Sequence, residues 1–187
     1  LIDFDDMLVY CYELLEQRPD IRKMWQQRFP FILIDEFQDI NQVQYDVVKL
    51  LAQPANNIFI VGDDDQSIYG FRGARPDIMQ SFGKEFSPKI CKLNVNYRSK
   101  GEIIALAGRV IGHNKNRLDK KIIGTEKDFK PGSAVQVQEF QGMTEQNEKI
   151  REEILVYRNR GIPYREMAVL FRTNTQARAI SAKLKEY

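Results

Sequence analysis

Two carboxylates stand side by side in Leu33-Ile34-Asp35-Glu36-Phe37-Gln38-Asp39, directly after the apolar run Phe31-Ile32-Leu33-Ile34. Such a run reads as a strand covered on both faces, the habit of parallel sheets, and in open α/β sheets ligands collect at the carboxyl ends of the strands. A carboxylate there suits Mg²⁺, a hard ion that takes oxygen donors and keeps part of its water shell. Its neighbour is placed to orient and deprotonate an attacking water. The same pair equally suits capping of a helix that begins near Asn41, where negative charge meets the positive end of the helix dipole.

A second cluster, Val61 to Ala74, follows another apolar run and joins acids, an amide, two aromatics and an arginine in one loop. Gln66 has the chemistry to hydrogen-bond a phosphate or the attacking water. Tyr69 and Phe71 offer flat faces on which bases stack for roughly 1–3 kcal/mol each, unless both rings belong to the core. Arg72 can bond a nucleic-acid phosphate or tie back to Glu36. A third cluster, Leu93-Asn94-Val95-Asn96-Tyr97-Arg98-Ser99, sits where one α/β unit gives way to the next. An arginine at such a junction can reach a γ-phosphate across a cleft and stabilise charge that spreads during transfer. Read locally, the same residues make a turn followed by a helix with Ser99 as its N-cap.

The elements that position these clusters follow from apolar spacing. Leu8, Cys11, Tyr12 and Leu15 predict a helix from Asp5 to about Glu16, and a second helix fits Ile21 to Arg28. Strands are expected at 31–34 and 58–62 with a helix at 42–52 between them, then a helix at 77–82, a strand at 90–95 and a helix at 100–112. The polar, lysine-rich stretch from Gly112 to Gly132, with its turn signal Lys130-Pro131-Gly132, predicts a long surface connection. Beyond it come a strand at 134–140, a helix at 144–160, a strand at 167–172 and a helix from Thr175. The pattern is α/β throughout, with a boundary near Arg98.

Composition narrows the class. With 43% apolar residues the chain can bury a core, and no run approaches the about 18 unbroken apolar residues of a membrane span, so a soluble, intracellular protein is expected. Cys11 and Cys91, the two cysteines, build neither a disulfide framework nor a zinc site, and both read as buried thiols. His113 is the sole histidine and reads as a bystander near a helix end. The 28 basic and 26 acidic residues nearly cancel, so any nucleic-acid site must be local.

In order and separation the three clusters resemble the UvrD/Rep family of superfamily-one helicases. Asp35-Glu36-Phe37-Gln38-Asp39 resembles the family's Mg²⁺ and catalytic-base motif, Gly62 to Ala74 its glutamine and DNA-stacking motif, and Asn96 to Ser99 its arginine-finger motif. Asp3-Phe4-Asp5-Asp6-Met7-Leu8 and Ala168-Val169-Leu170-Phe171-Arg172-Thr173-Asn174 add support. The resemblance implies that Asp35 binds Mg²⁺, Glu36 activates water, Gln66 senses the γ-phosphate, Tyr97 stacks on adenine and Arg98 is the finger. It further implies that Tyr69, Phe71 and Arg72 line a single-strand channel, with Arg172 and Asn174 as further DNA contacts. Phe71 departs from the family's usual tryptophan, keeping a stacking face without the indole donor, and Phe37 stands where tyrosine is common.

The implied architecture is two incomplete RecA-like domains of the P-loop NTPase type, 1–97 and 98–187, with parallel sheets flanked by helices. The implied protein is an ATP- and Mg²⁺-dependent 3′–5′ DNA helicase or translocase. It would act on single-stranded DNA and duplex junctions in repair or replication, in the cytoplasm with the nucleoid. No G-x-x-x-x-G-K-[ST] occurs, and the one Gly-Lys, Gly83-Lys84, is followed by Glu85 at what reads as a helix end. The chain alone is therefore expected to be inactive. Two other readings stay open: a degenerate, non-catalytic nucleic-acid-binding or docking module, and the motor subunit of a helicase-nuclease.

Overall fold

A computed structural model gives the fold and describes residues 1–115, 117–125 and 134–185. The chain forms two compact units, Leu1–Ala134 and Val135–Tyr187. The first begins with α1 (Phe4–Gln17), where Asp3 and Asp6 cap each other's backbone amides in a reciprocal box. α2 (Pro19–Arg28) starts on a proline, whose missing N–H costs nothing in a first helical turn. A second reciprocal box, Asn41 with Gln44, starts α3 (Gln42–Ala52). α1, α2 and α3 pack on one another, and the Gln26 side chain donates to the Leu50 carbonyl at 2.8 Å.

β1 (Ile32–Ile34) and β2 (Ile58–Ile60) pair in parallel, Ile32 opposite Ile58 and Ile34 opposite Ile60. Ile34, Ile58 and Ile60 face a core made by Phe37 and Tyr45 together with Ile78 and Phe82 of α4 (Asp77–Phe86). Leu33 and Phe59, the alternate residues, are exposed. The apolar runs predicted cover on both faces, and among the described residues only one is covered. α4 runs four residues past its expected end, so Gly83-Lys84 lies inside its last turns.

The rest of the unit departs further from expectation. The strand expected at 90–95 is reduced to β3 (Val95–Asn96), which pairs in parallel with β4 (Ile123–Gly124), a strand the sequence did not suggest. Between them lies α5 (Gly101–Ile111), whose N-cap is Lys100 and not Ser99. The loop expected at 112–132 is thus interrupted by β4, while its turn signal at 130–132 lies outside the described residues. Cys11 and Cys91 are both exposed, against the expectation of buried thiols: Cys11 lies off the Leu8, Tyr12 and Leu15 face of α1, and Cys91 lies in a segment, 89–95, that is exposed throughout.

The second unit holds α6 (Met143–Asn159), a 3-10 turn at Tyr164–Glu166 and α7 (Asn174–Lys185). α6 and α7 pack together around Ile180, and Lys183 reaches Glu148 at 2.5 Å. The strands expected at 134–140 and 167–172 do not form among the described residues. A strand needs a neighbour to complete its ladder, and neither segment finds one there. No helix among the described residues is long and apolar enough to cross a membrane.

Phe37 is wholly buried, edge-on to Tyr45 and Phe82 at ring separations of 6.1 and 5.5 Å. Phe37→Ala is expected to cost about 3–5 kcal/mol. The readout is hydrogen exchange at the residue 37 and Val61 amides, and unchanged protection there would remove Phe37 as the anchor of this core.

Candidate functional site

The paired carboxylates leave β1 through a strained turn. The Val61 amide donates to the Ile34 carbonyl at 2.8 Å and the Phe37 amide to the Val61 carbonyl at 2.9 Å, so the two strand ends stay zipped where Asp35 and Glu36 emerge. Glu36 adopts φ 51°, ψ 41°, a left-handed conformation uncommon outside glycine and costing on the order of 1–3 kcal/mol. Burial of Phe37 immediately after it supplies the compensation. Both carboxylates are exposed, and Asp35 Oδ1 accepts the Glu36 amide at 2.9 Å. Neither caps α3, because Asn41 and Gln44 have taken that role.

Gln38, 2% exposed, is the residue that sequence reasoning left without a role. Its Nε2 donates to Glu36 Oε2 at 2.7 Å, and its Oε1 accepts the Asp63 amide at 3.0 Å. Its carbonyl accepts the Ser67 hydroxyl at 3.1 Å. Asp63 Oδ2 in turn accepts from Gln66 Nε2 at 2.8 Å. Glu36, Gln38, Asp63 and Gln66 therefore form one hydrogen-bonded chain across the ends of two parallel strands. Gly62 makes room for it: a Cβ there would sit 2.7 Å from Gln38 Oε1 and 3.2 Å from the Phe37 amide nitrogen.

The acidic run Asp63-Asp64-Asp65 draws in cations from far along the chain. Lys120 bonds Asp63 and Asp64 and lies 3.2 Å from Asp65, while Arg117 grips Asp65 through two bonds of 2.8 and 2.6 Å. The Leu118 amide donates to Asp64 Oδ2 at 2.6 Å. The three carboxylates have oxygens close enough to resemble a metal site, but an ammonium and a guanidinium already neutralise them. Sequence reasoning passed over Arg117 and Lys120. Three consecutive aspartates signal a need for counter-charge, yet nothing in the sequence separates these two from Lys115, Lys121, Lys127 and Lys130.

Beyond Gln66 the loop carries an exposed aromatic platform. Tyr69 and Phe71 lie with ring centres 5.7 Å apart, and the Arg72 guanidinium rests over both at 5.3 and 5.5 Å. Phe71 is 79% exposed, so these rings are not core residues. Arg72 reaches them and makes no tie to Glu36. Asn96 Oδ1 accepts the Arg98 and Ser99 amides at 2.9 Å each, holding the turn that presents Tyr97 and Arg98, both exposed. Among the described residues neither side chain bonds to the Glu36–Gln66 chain. In the second unit the Gln176 side chain accepts the Arg172 and Thr173 amides, and Asn174 opens α7.

Comparison with known proteins bears on this arrangement. Residues 1–87 match the UvrD/REP helicase N-terminal domain and residues 91–187 the UvrD-like helicase C-terminal domain. The chain is 42% identical over 186 residues to the putative ATP-dependent DNA helicase YjcD of Bacillus subtilis, covering 98% of this chain and 24% of that one. It is 39% identical over 184 residues to DNA helicase II of Haemophilus influenzae, covering 98% of this chain and 25% of the relative. With the ATP-dependent DNA helicase Rep of Buchnera aphidicola the identity is 37% over 188 residues, 98% of this chain and 28% of that protein. The chain thus spans about a quarter of the length of the curated relatives it matches.

The ion cluster makes its own pH dependence. The Arg117 guanidinium, helped by Lys120, holds the Asp65 carboxyl below the usual range against the opposing effect of burial. For Asp63 burial pushes upward, but the bonds from Lys120 and Gln66 together outweigh it and lower the carboxyl. Burial likewise pulls Lys120 down, and its bonds to Asp63 and Asp64 raise it overall. Carboxyls lowered on folding contribute stability above their unfolded value of about 3.9, lost as pH falls through the folded one; the raised lysine contributes below about 10.4 and loses it as pH rises. In Lys120→Met, Asp63 is expected to titrate at higher pH, read from carboxyl ¹³C shifts, and an unmoved titration would rule out the contact.

Proposed function

Because this chain belongs to the UvrD/Rep helicase family, we propose that it carries part of the ATP-hydrolysis and single-strand-binding machinery of an ATP-dependent 3′–5′ DNA helicase. The observation that carries the reading is the hydrogen-bonded chain from Glu36 through Gln38 and Asp63 to Gln66. It sets a carboxylate and an amide together at the carboxyl edge of parallel strands, where an attacking water needs both a base and a group that senses phosphate. In this reading residues 1–97 and 98–187 belong to two RecA-like domains, and Arg98 is the finger that stabilises charge spreading over the γ-phosphate. Tyr97, 82% exposed, offers its face to adenine.

Asp35 fits a hard divalent cation: it is exposed, and its Oδ2 enters no hydrogen bond or ion pair among the described residues. Bound Mg²⁺ would neutralise charge on the β- and γ-phosphates. Glu36 takes the proton of the attacking water, and Gln66 leaves Asp63 to meet the γ-phosphate. The Tyr69, Phe71 and Arg72 platform holds bases by stacking and phosphates by charge, which makes binding tolerant of sequence. Arg172 and Asn174 add contacts to the strand. The partners are single-stranded DNA, duplex junctions and ATP, in repair or replication on the nucleoid.

Two substitutions in the full-length protein test this reading. Glu36→Gln is expected to abolish single-strand-stimulated ATP hydrolysis while nucleotide still binds, and retained turnover would remove Glu36 as the base. Phe71→Ala is expected to weaken affinity for an oligo-dT strand by about 1–3 kcal/mol with the melting temperature unchanged. Unchanged affinity would take Phe71 out of the channel. A wild type that neither binds nor hydrolyses ATP would favour a non-catalytic binding module.

A further inference from the structure

Resting on the assignment of Glu36 as base, we propose that Gln38 is a positioning residue that sets the catalytic carboxylate and the Gln66 loop as one rigid unit. Its amide is nearly inaccessible, and both ends are spent: Nε2 on Glu36 Oε2 at 2.7 Å, Oε1 on the Asp63 amide at 3.0 Å. An uncharged amide of this length supplies a donor toward a carboxylate and an acceptor toward a backbone N–H at the same time. Asparagine is one methylene too short to reach both, and leucine or methionine reaches neither.

The arrangement solves a local problem. Glu36 is exposed and sits in a strained left-handed backbone, so its side chain would otherwise sample many rotamers. A buried donor holds one carboxylate oxygen in place and leaves the other for the water. Through Oε1 the constraint passes to Asp63, whose carboxylate holds Gln66, and the Gln38 carbonyl holds Ser67 two residues before Tyr69. Displacement of the aromatic platform by a strand therefore has a short path of bonds back to the base.

The test is Gln38→Glu in the full-length protein, beside Glu36→Gln and the exchanged pair Glu36→Gln/Gln38→Glu. In Gln38→Glu the Asp63 amide keeps an acceptor, but Glu36 loses its donor and faces a second carboxylate. kcat for oligo-dT-stimulated ATP hydrolysis is expected to fall about 10- to 100-fold with KM for ATP within about twofold. The melting temperature falls in Gln38→Glu and recovers in the exchanged pair, which restores an amide against a carboxylate, while turnover stays lost.

Wild-type kcat and KM in Gln38→Glu, with Glu36→Gln inactive, would overturn the positioning role and leave the base assignment standing. Turnover retained in Glu36→Gln would instead remove the base itself. Where Gln38→Glu does not fold, the exchanged pair decides: its folding supports the Gln38–Glu36 bond, and its failure to fold overturns it.

Discussion

Two parallel strand ends have to be held together at the point where the chain turns toward solvent, and buried groups on consecutive residues do it. Phe37 drives the turn inward by burying its ring against Tyr45 and Phe82. Gln38 then has to bury an amide, which is tolerable only when each of its polar ends has a partner. Those partners are the Glu36 carboxylate on one side and the Asp63 backbone on the other. That pair of bonds, with the backbone bonds between the strand ends, keeps the two loops close, and it adds Gln38 Oε1 to the atoms that a side chain at 62 would meet.

Charge is organised on the same principle. Three adjacent aspartates at a loop tip repel one another, and they coexist because Lys120 and Arg117 come back from more than fifty residues away to neutralise them. The acidic loop is thereby fastened from two sides, by an uncharged amide beneath and by cations above. What stays exposed are the groups proposed to do the chemistry: Asp35, Glu36, Gln66, the Tyr69–Phe71 platform, Tyr97 and Arg98. A buried frame and an exposed set of reactive and stacking groups is what a site needs when ligands must enter and leave at each cycle.

Residue type and order made much of this legible. The apolar runs located β1 and β2, the three-and-four spacing located the helices to within a few residues, and the clusters at 35–39, 62–74 and 96–99 identified the family by themselves. Local chemistry fixes such features, because caps, periodicity and short motifs involve residues close in the chain. Less legible were features that depend on partners distant in sequence. The apolar segments at 134–140 and 167–172 have strand-forming residues but no neighbour to pair with among the described residues, and β4 exists only because Asn94 and Val95 offer a ladder to it.

The sequence by itself determined which groups are the candidates for chemistry and what kind they are: carboxylates after a strand, an amide and stacking rings in one loop, an arginine at a junction. Only the tertiary structure decided how they are held. Gln38 looked like one more polar residue of a motif, and Arg117 and Lys120 like members of a lysine-rich stretch. Burial and long-range hydrogen bonding single them out, and neither is a property of any short window of sequence.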